Sequence, residues 1–332
     1  MTLSASNPAH PDSVPGGGLI LAVDIGGTHL RAATIDSHGR FVSQLKQRTP
    51  QTKSPQDITN AITAALTQFQ NEGGARNGIR ALSVVVPGTL DVKTGAIITA
   101  PNLSSLAGFN LSRALTETLR LPVMLENDAN GAAIGEMWRG AARGCRNIVC
   151  VTLGTGVGGG IVLNGKVWHG ANNSAGEIGH MCVEPFGGVA CACGSRGCLE
   201  VYASATAIVR MSREARPRYP NSLLSVAEDF TAEDVYRAGK QGDQLAIEVF
   251  RRMGSYLGVG LANLINILNP EAIVIGGGVA SAWDLFAEEM QSQVNKHAFP
   301  LPAQVKIVPA ECGDDAGLLG AARLGFGEEI AD

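Results

Sequence analysis

LAVDIGGTHLRAATIDSHGR, Leu21 to Arg40, and VCVTLGTGVGGGIVLNGKVW, Val149 to Trp168, share one plan: a buried strand, a Gly/Thr turn, a second strand and a polar turn. Each stretch opens one half of an internally duplicated fold. After the first come a helical pattern around Asp57 to Gln70, the strand ALSVVVPG, the helix LSRALTETLR, the strand PVMLEND and the helix ANGAAIGEMW. After the second come helices near Ala205 to Arg216 and Ala232 to Gly239, and a long apolar-periodic helix from Asp243 to Leu268. The strand AIVIGGG, a helix near Ala282 to Val294, the strand QVKIVPA and the helix DDAGLLGAARLGF close the chain. Strands alternating with helices specify a layered α/β architecture. Two such halves facing each other enclose a cleft lined by the glycine turns at their strand ends.

Those turns offer backbone N–H groups without bulky side chains, which suits phosphate oxygens. GTGVGG from Gly154 also satisfies G-x-G-x-x-G, with Glu177 about twenty residues on, as in a dinucleotide site. That fingerprint requires a helix opening at the glycines. GGGIVLNGKVW instead reads as strand, Asn-Gly hairpin turn and strand. DIGGTHLR, Asp24 to Arg31, has the same form plus a carboxylate at the strand end, placed to hold a hydrated Mg²⁺. Taken singly, either hairpin is also explained as a tight turn needing positive φ. Two equivalent hairpins weigh against that plainer account.

The helix from Ala129 begins immediately after the tripeptide END, where the chain crosses between the halves, so Asp128 stands at a strand's carboxyl end in the cleft. Asp128 reads equally as a helix N-cap, and a cap does not exclude catalysis. The densest chemistry lies in GEIGHMCVEPFGGVACACGSRGCLE, Gly176 to Glu200, with one His, four Cys and three Glu. His180, Cys191, Cys193 and Cys198 form the one-imidazole, three-thiolate set of a structural zinc knuckle, with Gly194 and Gly197 bending the backbone around the ion. Buried reduced thiols, or disulfides in an exported protein, are the competing readings. Cys182 would share a strand face with His180 and so is either a substitute ligand or packing beneath the site.

The chain has 332 residues, 45% of them hydrophobic and 17% charged, enough for two domains with a core each. The net charge of −4 supplies no basic field for a nucleic-acid backbone. Residues 1–18, rich in Ser, Pro, Gly and Asn, read as a disordered tail without the apolar run of a signal peptide. No segment has the roughly 18 apolar residues of a membrane span, so a cytoplasmic location and reduced thiols are expected. Trp138, Trp168 and Trp283 read as core or interface residues, core being favoured, and Cys145, Cys150 and Cys312 as plain buried thiols.

The motifs VDIGGT, ENDAN, LGTGVGGG, GEIGH, CACGSRGCLE, IGGG and DDAGLLGAA together resemble the ROK family (repressors, open reading frames and sugar kinases), and within it the bacterial glucokinases. The resemblance runs from about Leu19 to Gly325. It implies a duplicated actin-like ATPase fold with ribonuclease-H-like domains flanking a cleft. Its expected parts are a small domain over 19–128, a large domain over 129–315 carrying the zinc loop 176–200, and a C-terminal helix in 316–332 packing back on the small domain. It implies ATP-dependent phosphorylation of a hexose 6-hydroxyl, with glucose first, in a cytoplasmic homodimer with no nucleic-acid or membrane partner.

By the same resemblance Asp128 is the general base, Asn102, Asn127, Glu177, His180 and Glu200 meet sugar hydroxyls, and Gly88 lines the same pocket. His180 has two jobs there, one ring nitrogen on zinc and the other on the sugar. Asp24, Gly26, Gly27 and Thr28 match one phosphate segment, Gly154, Thr155 and Gly156 the second, and Gly276 and Gly277 the adenosine segment. Zinc is structural in this scheme, and Mg²⁺ accompanies ATP. PNLSSLAGFNL, Pro101 to Leu111, lacks the tryptophan common after that Asn in glucokinases, which keeps N-acetylglucosamine, N-acetylmannosamine, mannose, allose and fructose as alternative acceptors. A sugar-sensing regulator is the remaining alternative. Its helix-turn-helix would need more chain than the residues before the first strand.

Overall fold

Strand β1 (Leu19–Ile25) is buried on both faces, with Leu21, Val23 and Ile25 in one apolar layer and Ile20 and Ala22 in another. That period-2 split, with apolar residues at nearly every position, is the pattern of a strand central to a sheet covered on both sides. The computed structural model describes residues 18–51, 54–71, 78–100, 103–225 and 229–327. It divides into two compact units, one formed by Met1–Gly144, Gly165–Ala175 and Asp315–Asp332, the other by Cys145–Asn164 and Gly176–Asp314.

The first unit continues with β2 (His29–Ile35), β3 (Phe41–Arg48), α1 (Pro55–Asn71), β4 (Ile79–Val86), the short pair β5 (Thr89–Asp91) and β6 (Ala96–Thr99), α2 (Leu111–Leu119), β7 (Val123–Asn127) and α3 (Asp128–Arg139). Its sheet has the order β3-β2-β1-β4-β7. β1, β2 and β3 form an antiparallel meander, whereas β4 and β7 run parallel to β1. β3, FVSQLKQR, was not singled out from the sequence; it alternates half-buried and exposed residues, and Lys46 and Arg48 suit a sheet edge.

In the second unit β8 (Ile148–Leu153) and β9 (Val157–Leu163) pair antiparallel. β10 (Lys166–Val167) lies in the stretch that returns to the first unit. Then follow α4 (Glu200–Ala203), α5 (Ala205–Ala215), α6 (Ala232–Lys240), α7 (Gln244–Leu268), β11 (Ala272–Gly276), α8 (Trp283–His297) and β12 (Lys306–Pro309). The order β9-β8-β11-β12, with β8, β11 and β12 parallel, is that of β2-β1-β4-β7 in the first unit. Asn164 and Gly165 after β9 both have positive φ, 54° and 79°, as an Asn-Gly hairpin turn requires. A strand therefore follows the glycines from Gly154, and the helix of a dinucleotide site does not.

Helix α7 carries the core of the second unit, with Leu245, Val249, Phe250, Met253, Leu257, Leu261 and Ile265 buried along one side. Asp243 caps it by accepting a hydrogen bond from the Ala246 amide at 3.0 Å, and Asn269 ends it in the left-handed region at φ 43°. Helix α9 (Ala316–Gly325) returns to the first unit and covers β1 and β4 through Leu318, Ala321 and Ala322.

The border differs from the sequence expectation. The first unit extends past Asp128 to Gly144 and also takes 165–175. The reason is packing: α3 lies against α9, and a Cβ on Gly135 would collide with the Ala316 carbonyl, as one on Gly320 would with the Gly131 carbonyl. Glycine at these positions lets the two backbones touch, so α3 stays with the unit that α9 joins. Trp168 is 54% exposed and does not belong to a core. Trp138 and Trp283 pack against the apolar clusters. Among the described residues no helix is long and apolar enough to cross a membrane.

Candidate active site and metal cluster

In the first unit, parallel β1, β4 and β7 end on one edge of the sheet, where ligands of open α/β sheets bind. Asp24 lies near the end of β1, Gly88 just past β4, and Asn127 and Asp128 at the β7–α3 junction. Register places Asp24 and Glu126 on either side of Val85. Across the hairpin, Arg31 Nη2 donates to Asp24 Oδ2 at 2.5 Å. The Gly26–Thr28 turn is held by its carbonyls: Thr49 Oγ1 donates to Gly26, Gln51 Nε2 to Gly27 and the Thr49 amide to Thr28, at 2.7, 2.7 and 2.9 Å.

Asn127, rather than Asp128, is the N-cap of α3. Its Oδ1 accepts from the amides of Ala129 and Asn130 at 2.9 and 3.1 Å, while its Nδ2 donates to the Gly88 carbonyl at 3.0 Å. Gly88 has φ 102°, and a Cβ there would collide with the Thr99 carbonyl. Asp128 is thus the first helical residue, and its Oδ1 accepts from the neighbouring Ala129 amide at 2.9 Å. The residue is exposed to solvent, although protein atoms crowd its carboxyl. Burial first, and the neighbouring Asp24 carboxylate second, raise its pKa from 3.8 to about 6.

Glu126 was not singled out from the sequence. It is 3% exposed; its Oε1 accepts from the Asn127 amide at 2.8 Å and from Asn130 Nδ2 at 2.9 Å, and its Oε2 meets His169 Nε2 at 2.8 Å. The available signal was a lone carboxylate inside the apolar strand VMLEN, since buried Glu is rare without partners. Asn102 lies outside the described residues.

In the second unit, the Gly154–Gly156 turn is closed by the Gly154 amide donating to the Gly156 carbonyl at 2.9 Å. Ala205 N and Thr206 Oγ1 hold the carbonyls of Gly154 and Thr155 at 2.8 and 2.9 Å. Glu200, at the start of α4, braces the same turn: its Oε2 accepts from the Val157 amide at 3.0 Å, and a Cβ on Gly156 would collide with that oxygen. Gly276 ends β11, and Gly277 at φ 84° passes so close to Leu153 that a side chain would strike its backbone.

The four sequence-chosen metal donors converge. The ligand atoms of His180, Cys191, Cys193 and Cys198 lie within 4.8 Å of one another, with Cys191 Sγ to His180 Nδ1 and Cys193 Sγ to Cys198 Sγ both at 3.7 Å. The edge of a tetrahedron with metal–sulfur bonds near 2.3 Å is about 3.8 Å, so the donor set fits a four-coordinate ion. Cys182 pairs its backbone with Cys198 but is not one of this group. Crowding also acts on the thiols. Burial, reinforced by hydrogen bonds with Cys193 and Cys191, pushes Cys198 up to about 12, while a hydrogen bond from the Ser195 backbone and another from Cys191 lower Cys193. Three thiols this close can all ionise only with a cation between them. His180 turns Nδ1 toward the sulfurs and leaves Nε2 3.9 Å from Glu177 Oε2. All seven cysteines are free thiols; Cys150 is buried, whereas Cys145 and Cys312 are partly exposed.

Comparison with known proteins agrees with this geometry. The family model described as the ROK family matches residues 20–327. A glucokinase of Halalkalibacterium halodurans is 40% identical over 310 residues, covering 92% of this chain and 94% of that protein. The crystal structure of a ROK family glucokinase from Streptomyces griseus, in complex with glucose and AMPPNP, superposes with TM-score 0.77 at 35% identity, over 92% of this chain and 99% of that one. A ROK family transcriptional regulator, a homolog of the E. coli MLC protein, superposes with TM-score 0.84 at 27% identity, over 92% of this chain and 77% of the regulator. With a two-lobed actin- and hexokinase-like architecture and a family match spanning both units, the chain belongs to the ROK family.

Proposed function

We propose that this chain is an ATP-dependent hexokinase that phosphorylates the 6-hydroxyl of a hexose, glucose first, with Asp128 as general base. The observation that carries the reading is Asp128 itself: a carboxylate at a strand's carboxyl edge, beside Asp24, with its pKa raised to about 6. A base poised there is mostly ionised at neutral pH and still takes up a proton readily. Asp128 removes the hydroxyl proton as the sugar oxygen attacks the γ-phosphorus; the bond from phosphorus to the bridging oxygen breaks and ADP leaves.

Gly88, Asn102, Asn127, Glu177, His180 and Glu200 are assigned to the sugar. Asn127 is held at three points and Glu200 at the Val157 amide, so both are set before substrate arrives. Gly26, Gly27, Thr28, Gly154, Thr155 and Gly156 are assigned to the ATP phosphates, and Gly276 and Gly277 to adenosine. The equal strand orders of the two units agree with a duplicated ribonuclease-H-like fold.

The His180, Cys191, Cys193 and Cys198 set is read as a zinc knuckle. Four protein donors leave no open position, so zinc bound there braces the loop and fixes the aim of His180 Nε2. Asp24 is the residue that would hold hydrated Mg²⁺ alongside ATP, supplying charge neutralisation at the phosphates. A cytoplasmic homodimer belongs to the same reading. The MLC-like regulator shares the architecture, but a base tuned by burial and by Asp24 is a requirement of catalysis and not of sugar sensing.

The test is ADP release across a panel of glucose, mannose, fructose, allose, N-acetylglucosamine and N-acetylmannosamine, with and without Mg²⁺. Glucose should give the highest kcat/KM, and turnover should require Mg²⁺. Sugar-independent ADP release, or none with any hexose, would remove the assignment; a higher kcat/KM for another hexose would move the acceptor only, as the altered PNLSSLAGFNL segment allows.

A further inference from the structure

Glu126 holds a carboxylate at 3% exposure, and none of the three groups seen donating to it is a lysine or arginine. A buried charge is costly, and an apolar pair of similar volume is often as stable or more so. What the carboxylate does supply is direction. Its Oε1 pins the Asn127 amide and Asn130 Nδ2, the entry to α3, and its Oε2 takes His169 Nε2 from a different part of the chain, 43 residues away. His169 reaches Oε2 through Nε2, at 2.8 Å.

His169 begins a small closed loop, sealed by the Ala175 amide donating to the His169 carbonyl at 3.1 Å, with Gly170 and Asn173 at positive φ. The loop leads directly into Gly176, Glu177 and His180. One carboxylate therefore joins the base-bearing turn to the His169–Ala175 loop of the same unit.

We propose that Glu126 and His169 form a positioning clasp that holds Asn127 and Asp128 at the attacking hydroxyl and anchors the His169–Ala175 loop. The clasp rests on the hexokinase reading for its consequence, not for its geometry. Neither residue touches the reacting atoms in this scheme; both act through Asn127, Asp128 and the loop.

The experiment compares wild type with His169→Gln, whose amide reaches as far as Nε2, and His169→Asn, which falls short of Glu126. Glucose and Mg-ATP kinetics are paired with hydrogen exchange of the amides at 127–130 and 170–175. His169→Asn should lower kcat/KM for glucose by about thirtyfold or more, through both kcat and the glucose KM, with the ATP KM within about twofold, since small misplacements of reacting groups cost rate steeply. Its amides in both stretches should exchange faster. His169→Gln should stay within about threefold of wild type and keep its protection, as its donor is retained. Equal impairment of the two variants, or wild-type kinetics and protection in His169→Asn, would overturn the clasp. Asp128→Asn run alongside separates the two ideas: an active Asp128→Asn defeats the base assignment, whereas a dead Asp128→Asn beside an unaffected His169→Asn defeats only the clasp. Should no sugar be phosphorylated at all, the exchange rates alone still decide whether His169 orders the α3 entry.

Discussion

Asp128 is where local position and long-range environment meet. Asp at a strand-to-helix junction is ordinary capping chemistry, but Asn127 does the capping, which leaves Asp128 for other work. Its raised pKa has two consequences of definite sign. The proposed general base must be ionised to act, so kcat/KM for the sugar should rise with pH and level off above about 6, as read from a pH–rate profile. Ionisation also opposes folding, because the folded-state value lies above the unfolded 3.8. The neutral acid's share of stability is complete below pH 3.8 and is lost as pH rises through about 6. Asp128→Asn should therefore lower kcat by about a thousandfold or more, yet melt higher than wild type at pH 7.5, with the gap closing toward pH 4. A variant that melts lower at pH 7.5, or keeps most of its kcat, contradicts the assignment.

At the scale of elements, the α3–α9 contact decides which unit receives the chain after Asp128. Gly135 and Gly320 put backbone against backbone there, so the contact has no side chain to give way. Gly320→Ala should destabilise the first unit by about 1–3 kcal/mol through overpacking, measured by urea denaturation, even though Ala favours helix over Gly. A change under about 0.5 kcal/mol would mean that the helices separate cheaply. Much of this level was legible. The hairpins around DIGGTHLR and LGTGVGGG, the helix α7 and the α/β alternation rest on neighbours in sequence, where periodicity and turn residues act directly. The 165–175 return was not legible, because pairing of His169 with Glu126 depends on a partner 43 residues away. Glu200 bracing Val157, also 43 residues away, was invisible for the same reason, although Glu200 itself was chosen.

At the scale of the molecule, the metal cluster is the prediction with the widest reach. The loop from Gly176 to Glu200 has little regular structure, three residues of 3₁₀ helix and isolated bridges, so its shape depends on what the four donors hold. Cys193→Ser should lose bound metal, measured by elemental analysis, and raise the glucose KM several times more than the ATP KM. Equal effects on both constants would reduce the cluster to support of the fold. The amino-acid sequence by itself determined the α/β class, the two glycine hairpins and the identity of the four candidate metal donors, because each is encoded by residue types at short spacing. Tertiary structure alone decided that the first unit runs on to Gly144, that Trp168 is exposed, that Asn127 rather than Asp128 caps α3, and that Glu126 is bound to His169. Those outcomes depend on which distant groups come within hydrogen-bonding or van der Waals reach, and only packing of the whole chain sets that distance.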